Sequence, residues 1–323
     1  MNAYDETDLR LAAEAGIRAP SLDNSQPWLF RLVDGAIEVH TDPARHLTHL
    51  DSAGWAARIA AGAATLNARL ALAAAGRPAE VRLHPDLHRP DLIARLTAGQ
   101  LRPPTYAERD LWMAIPRRYS NRQPFWPDPV PPDIRVRLIA AARDEGAWLD
   151  LLVGMTALSA FSEIAHGADR VLRRDAAYQS EQATWTHVQA APEGVPVAAG
   201  APLAEPYDLV PQRFFNDRRR APGHDYEPEP LIGILGVSGD RPLDQTVAGQ
   251  ALQKVLLTAV DAGLTTSLVS QPIEVPAARD QLRRSLGRSG WPQIAIRFGY
   301  GSPGHPSPRR DVSEVIGDNG PGR

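Results

Sequence analysis

The sequence predicts an α+β protein of two tandem halves, folded on one another as an intrachain pseudo-dimer. Three observations predict it. An Ala-rich helical pattern ends at Gly16 early in the chain, and a second one ends at Gly146. A longer helical stretch runs from Gly62 to Gly76, and its counterpart runs from Gly249 to Gly263 with the same spacing between glycines. Strand-like segments alternate with these helices, and the first two are joined by Asp34-Gly35, a β-hairpin turn signal. A repeat within one chain is the sequence form of a two-fold arrangement.

In chain order, Thr7 to Gly16 reads as a short helix with Thr7 as N-cap and Gly16 as C-cap. A loop follows to Pro27, then the hairpin Trp28–Val33 and Ala36–Thr41. Ser52 to Ala75 is the longest helical pattern: Trp55, Ile59, Leu66 and Leu70 recur at helical spacing and Ala fills the other faces. Such small surfaces suit a helix packed closely on several sides. Val81 and Leu83 suggest a strand, while Asp91–Ala98 and Glu108–Ile115 suggest short helices. The second series has a helix at Asp133–Glu145 and a strand at Trp148–Val153. A helical stretch from Leu158 to His187 follows, broken near Asp175. Pro192 to Pro230 carries eight prolines and the run Arg218-Arg219-Arg220, with little periodicity. A loop of that length in a compact domain is more often a lid or an insertion than a plain connection. Leu231–Val237 reads as a buried strand, Thr246–Ala262 as a helix and Ile294–Gly299 as a strand, before an extended tail.

Composition narrows the function. The 323 residues include 35 basic, 38 acidic and nine His side chains, for a formal net charge of −3. That balance lacks the electrostatic footprint of a nucleic-acid binder. There is no Cys, so disulfides, iron–sulfur clusters and thiol catalysis are excluded. The polar, acidic start lacks a signal-peptide pattern, and no apolar run reaches the ~18 residues of a membrane span. A cytoplasmic protein is expected. Lys254 is the sole lysine, so phosphate binding would fall to Arg, backbone N–H groups or helix ends.

Two segments carry chemistry. Pro20-Ser-Leu-Asp-Asn-Ser-Gln-Pro-Trp28 sets Ser21, Asn24, Ser25 and Gln26 on a short loop before a strand, stiffened by two prolines. Two readings are open for it: a polar ligand loop, or a turn with an Asx-type bond ahead of a core Trp28. Arg117-Arg-Tyr-Ser-Asn-Arg122, followed by Phe125, can grip a dianionic phosphate through charge-assisted bonds; the same residues also suit a solvated basic loop. Rival signals are weaker. Gly299-x-Gly301-x-x-Gly304 has the letters of a dinucleotide fingerprint, but Pro303, Pro306 and Pro308 forbid the helix it needs. His84, His88 and Asp91 flank Pro85 on a loop and make a poor metal set, and His40, His46 and His49 read as surface groups. No metal is expected, and no GxSxG motif supports hydrolase chemistry.

Taken together and in this order, the two segments resemble the nitroreductase superfamily of FMN-binding flavoproteins. The similarity is closest to its fused two-half, Acg-type NAD(P)H nitroreductases, and it covers nearly the whole chain. Pro20-Ser21-x-x-Asn24-x-Gln26-Pro27-Trp28 is similar to the superfamily's PSxxNxQPW motif. Arg118-Tyr-Ser120-Asn-Arg122 with Phe125 is similar to RRSxRxF, one residue longer between the arginines. Ser267 to Glu274 resembles the segment beside the flavin ring, and Gly299-Tyr-Gly301 with Arg309 and Arg310 resembles the strand and basic pair that finish the phosphate site. The resemblance implies a nitroreductase-like fold with antiparallel-rich sheets packed around long central helices. It also implies a division at residue 104. The half 1–104 supplies the polar loop. The half 105–323 supplies the Arg cluster and carries the lid-like insertion 192–230.

Each polar motif occurs once, so one composite site per chain is expected, plus one degenerate site. The resemblance implies non-covalent FMN, one per chain, with NAD(P)H as reductant. Arg118, Arg122 and Arg310 would hold the phosphate with Arg309 in support and Ser120 beside them. Ser21 and Asn24, with Ser25 and Gln26, would meet the ribityl chain or ring edge. The Ser270, Gln271, Pro272 and Ile273 backbone would contact the ring. No catalytic side chain is named, because the flavin performs the chemistry. The expected activity is hydride transfer from NAD(P)H through flavin N5 to a nitroaromatic, quinone or similar small molecule. The alternative is an FMN-sequestering protein with a lidded site and little turnover. A monomeric pseudo-dimer is expected, which leaves a further homodimer open.

Overall fold

The computed structural model describes residues 3–187, 191–201, 208–211, 213, 227, 229–302 and 304–317. Helix α1 (Glu6–Gly16) is capped by Asp5, whose carboxylate accepts from Thr7 N and Asp8 N, while Asp8 accepts from Asp5 N at 3.0 Å. This reciprocal box places the cap upstream of Thr7. Gly16 serves packing rather than a left-handed cap: a Cβ there would lie 2.3 Å from Phe30 Cζ. Strands β1 (Trp28–Val33) and β2 (Ala36–Thr41) form the expected hairpin, with Asp34 and Gly35 both at positive φ.

Helix α2 (Trp55–Ala74) begins where the Asp51 carboxylate accepts from Ala56 N and Ala57 N at 3.0 and 2.9 Å. Beyond it come β3 (Ala79–Leu83) and β4 (Leu92–Ala98). The helix expected over Asp91–Ala98 is therefore a strand. β4 lies between β2 and β3, so its short apolar run is buried by sheet neighbours on both sides, and periodicity alone does not separate such a run from a helix. His40 is also corrected. It is buried on β2, with Nδ1 3.0 Å from Asp91 and Nε2 3.0 Å from Glu38, which in turn accepts from Arg89 and Arg95.

The second sheet follows α3 (Tyr106–Ala114) and α4 (Pro132–Asp144). It contains β5 (Trp148–Leu152), the central β8 (Leu231–Val237), β10 (Trp291–Gly299) and β9 (Thr265–Val269), in the order β5-β8-β10-β9. Both four-stranded sheets are antiparallel throughout. Between β5 and β8 lie α5 (Met155–Leu172), α6 (Ala176–Thr184) and a two-residue parallel pair, β6 (Thr186–His187) with β7 (Val195–Pro196). Helix α7 (Pro242–Asp261), the short α8 (Gln271–Glu274), α9 (Pro276–Ser285) and α10 (Val312–Val315) complete the chain. The run Arg218-Arg219-Arg220 and most of the expected lid lie outside the described residues.

Helices α2 and α7 are both 20 residues long and cross in the middle of the molecule. At the crossing a Cβ on Gly62 would sit 2.3 Å from Thr246 O, and one on Gly249 would sit 2.1 Å from Ile59 O. Backbones approach this closely only without side chains. Buried Asn67 accepts from Gln253 at 2.7 Å and fixes the register. Gly76 and Gly263, each at φ +78, close the two helices. The C-terminal segment crosses over to the first sheet: Gly317 N donates to Phe30 O, and Val312 and Val315 join the core around Trp28 and Phe30. That crossing brings Arg309 and Arg310 to the loop ahead of β1. Among the described residues no helix is long and apolar enough to cross a membrane.

Candidate functional site

The loop from Ser21 to Gln26 is tightly wound. Asp23, Asn24 and Gln26 all have positive φ, a conformation Asn and Asp tolerate better than most residues. Ser21 Oγ accepts from Gln26 N at 3.0 Å and closes the turn. Gln26, fully buried, donates to Pro192 O at 2.9 Å and accepts from Arg310 N at 3.0 Å. Asn24 Nδ2 donates to Gly194 O and Pro308 O, and Asn24 Oδ1 accepts from Arg309 at 2.9 Å. The turn is thus tied to the middle of the chain and to its end.

It opens on a pocket bordered by α2, α7, β9 and β10. Trp55, Ile59 and Ala60 of α2, Leu252 of α7, Leu268 of β9 and Ile294 of β10 supply an apolar surface. An apolar surface facing convergent polar and charged groups is the make-up of a site for a polar small molecule. Of the residues expected at the site, Ser21, Asn24, Arg118, Ser120, Arg122, Ser270 and Arg309 share this one wall, although they come from opposite ends of the chain.

Two charged regions differ. Arg118 is 3 % exposed, and Arg118 Nη2 donates to Arg18 O at 3.1 Å. Arg309 donates only to Asn24 and to the carbonyls of Ala19, Ser307 and Pro308. The Nε of each is buried with no partner, and among the described residues neither guanidinium pairs with a carboxylate. Burial pulls the Arg118 pKa down to about 10. Burial, with Arg118 and Arg18 nearby, pulls Arg309 down to about 9. Among the described residues this positive charge has no counterion. In the other region Arg213 donates to Asp23 at 2.9 and 3.1 Å, to Ser270 Oγ at 3.0 Å, and to Glu274. Arg122 is pulled down to about 10 by burial, against the opposing pull of Asp23. Arg122 also donates to Ala199 O at 3.2 Å.

Other expected residues stand elsewhere. Arg310 turns away from the pocket, toward Glu314 and Asp42. The structure therefore puts Arg309, not Arg310, on the wall. Ser25 and Gln26 are buried beneath the turn. Gln271, Pro272 and Ile273 form the buried α8 and do not line the pocket. Sequence reasoning missed Asp23, although it lies inside the quoted motif, and Trp55, which it assigned to the core. It also missed Arg213, for which no local pattern gives a signal.

The mycobacterial protein named "Putative NAD(P)H nitroreductase Rv3131" is 31 % identical, and the match covers 98 % of this chain and 93 % of that protein. The chain belongs to the nitroreductase family. A second Mycobacterium tuberculosis nitroreductase, acg, is 28 % identical over 95 % of each chain. Among solved nitroreductases, the FMN and NADPH-dependent NfnB of Sphingopyxis overlaps 65 % of this chain and 99 % of its own, with 17 % identity and a TM-score of 0.43. No family model matches the chain. The nitroreductase assignment rests on the full-length mycobacterial relatives, and the observed fold of helices and antiparallel sheets agrees with it.

Proposed function

We propose that this nitroreductase is an FMN-dependent oxidoreductase with one non-covalent FMN site per chain. The observation that carries the reading is the pair Arg118 and Arg309, buried on the pocket wall with unpartnered Nε groups and no carboxylate. A buried cationic pair left uncompensated is costly unless an anion occupies the site. A phosphate monoester has the required charge and acceptor oxygens. The apolar surface from Trp55 to Ile294 suits a planar ring.

When bound, FMN supplies a two-electron carrier between NAD(P)H and a nitroaromatic, quinone or similar acceptor. The residues of this chain bind and orient. Arg118 and Arg309 hold the phosphate, and Ser120 lines the wall beside them. The Ser21–Asn24 turn borders the ring or ribityl chain, and Ser270 flanks it from the opposite half. Trp55, Ile59, Leu252, Leu268 and Ile294 exclude water. Two tandem halves, 1–104 and 105–323, form the pseudo-dimer in this reading. The two antiparallel sheets and the glycine crossing of α2 and α7 support it. A cytoplasmic protein that needs no partner chain to complete its site follows from the same reading.

A second reading, flavin sequestration with little turnover, is favoured by the bonds that tie Pro192 and Gly194 to Gln26 and Asn24. Rapid mixing of the FMN-loaded protein with NADPH or NADH separates the two. Bleaching of the flavin, reversed by a nitroaromatic, supports the oxidoreductase. A flavin inert to both nicotinamides but bleached by dithionite contradicts it and supports sequestration.

A further inference from the structure

Arg213 comes from the long Pro-rich connection, yet its guanidinium makes four hydrogen bonds on the pocket wall, three of them to carboxylates. One Nη spans both oxygens of Asp23, in the loop of the first half. The other meets Ser270 Oγ and Glu274, in the second half. The ring of Tyr178 lies 5.9 Å from its centre, and Tyr178 OH donates to Glu274 Oε2 at 2.6 Å. The side chains of Arg213, Asp23 and Glu274 are 11 %, 2 % and 3 % exposed, so water screens little of this charge. Burial opposes the charge of Arg213, but Asp23 and Glu274 overcome it and hold the guanidinium protonated. Arg122 also feels the charges of Asp23 and Arg213, so among the described residues Arg122 and Arg213 stand with Asp23 and Glu274 at this end of the pocket.

We infer that Arg213 is a positioning residue that balances the charge at this end of the pocket and thereby sets the reduction potential of a flavin bound there. This rests on the FMN reading above. Reduction adds electron density to the occupant, so net charge in a low-dielectric wall shifts its two redox states unequally. Replacing Arg213 removes positive charge from the wall, which disfavours the reduced form. Neutralising Asp23 removes negative charge from the wall, which favours it. Changing both restores the balance.

The test is a dithionite titration of the FMN-loaded full chain against a reference dye, for wild type, Arg213→Met, Asp23→Asn and the double variant. Arg213→Met is expected to lower the midpoint, and Asp23→Asn to raise it. Each shift corresponds to at least a tenfold change in the ratio of affinities for reduced and oxidised flavin, ~30 mV for a two-electron couple. The double variant is expected to return towards wild type, a signed pattern that simple loss of structure does not produce. Midpoints that stay together, or all move one way, overturn the inference while the FMN reading stands. Failure of the wild-type chain to bind FMN overturns both. Should Arg213→Met not fold, an unchanged Asp23→Asn midpoint still overturns the inference and a raised one supports it.

Discussion

At one end of the pocket, among the described residues, Arg118 and Arg309 are buried with only neutral partners, whereas at the other Arg213 is paired with Asp23 and Glu274. Among the described residues the chain supplies carboxylates to Arg213 and none to Arg118 and Arg309. The unsatisfied pair has the character of a binding site, because its missing partner must come from outside. Arg213 has the character of a wall, because its bonds already join the loop at Asp23 to Ser270 and Glu274. Charge count alone does not distinguish them; the identity of each partner does.

The largest expected effect tests the satisfied end. Arg213→Ala leaves Asp23 and Glu274 buried without their shared cation, so denaturant unfolding should show a loss of ~3–5 kcal/mol. A loss under ~1 kcal/mol would mean the cluster contributes little to holding the wall together. The next effect concerns the crossing that supports both ends. Gly249→Ala places a methyl where Ile59 O already stands and should cost ~1–3 kcal/mol. Because Ile59 and Leu252 line the pocket, the same change should weaken FMN and riboflavin by equal factors. Selective loss of FMN alone would disconnect the crossing from the pocket floor. The smallest effect separates the ends most sharply. Arg118→Met removes an uncompensated buried charge, so the flavin-free protein should gain ~1 kcal/mol of stability while its FMN affinity falls. Destabilisation of the flavin-free protein by that change would mean that the carbonyl of Arg18 satisfies Arg118 well enough.

Much of this was legible in the sequence, for reasons that differ by element. The hairpin is found residue for residue, because Asp34-Gly35 fixes both turn and register. The glycine spacing from 62 to 76 and from 249 to 263 marks helix crossing and helix end, since both need a missing side chain. β4 is misread because it opens on the continuous apolar run Leu92-Ile93-Ala94 at a register shift, which leaves too short a stretch of alternation to identify a strand. His40 is misplaced because one of its two partners, Asp91, lies far away in the chain, and the other, Glu38, is buried only once β2 pairs with β4. The polar loop and the Arg cluster were visible as motifs, but the choice between Arg309 and Arg310 depends on which way the crossing tail turns. Arg213 lay beyond reach altogether, since its partners are Asp23 and Glu274, far away in the chain.

The central claim is that Arg118 and Arg309 form the anion end of a single flavin site. Equilibrium titration of FMN and riboflavin against wild type and Arg118→Ala tests it most directly. Riboflavin differs from FMN only by the phosphate. The expected result is one FMN per chain, with wild type preferring FMN over riboflavin and Arg118→Ala losing ~1.5–3 kcal/mol of that preference. An unchanged preference in Arg118→Ala, or two FMN per chain, would contradict it.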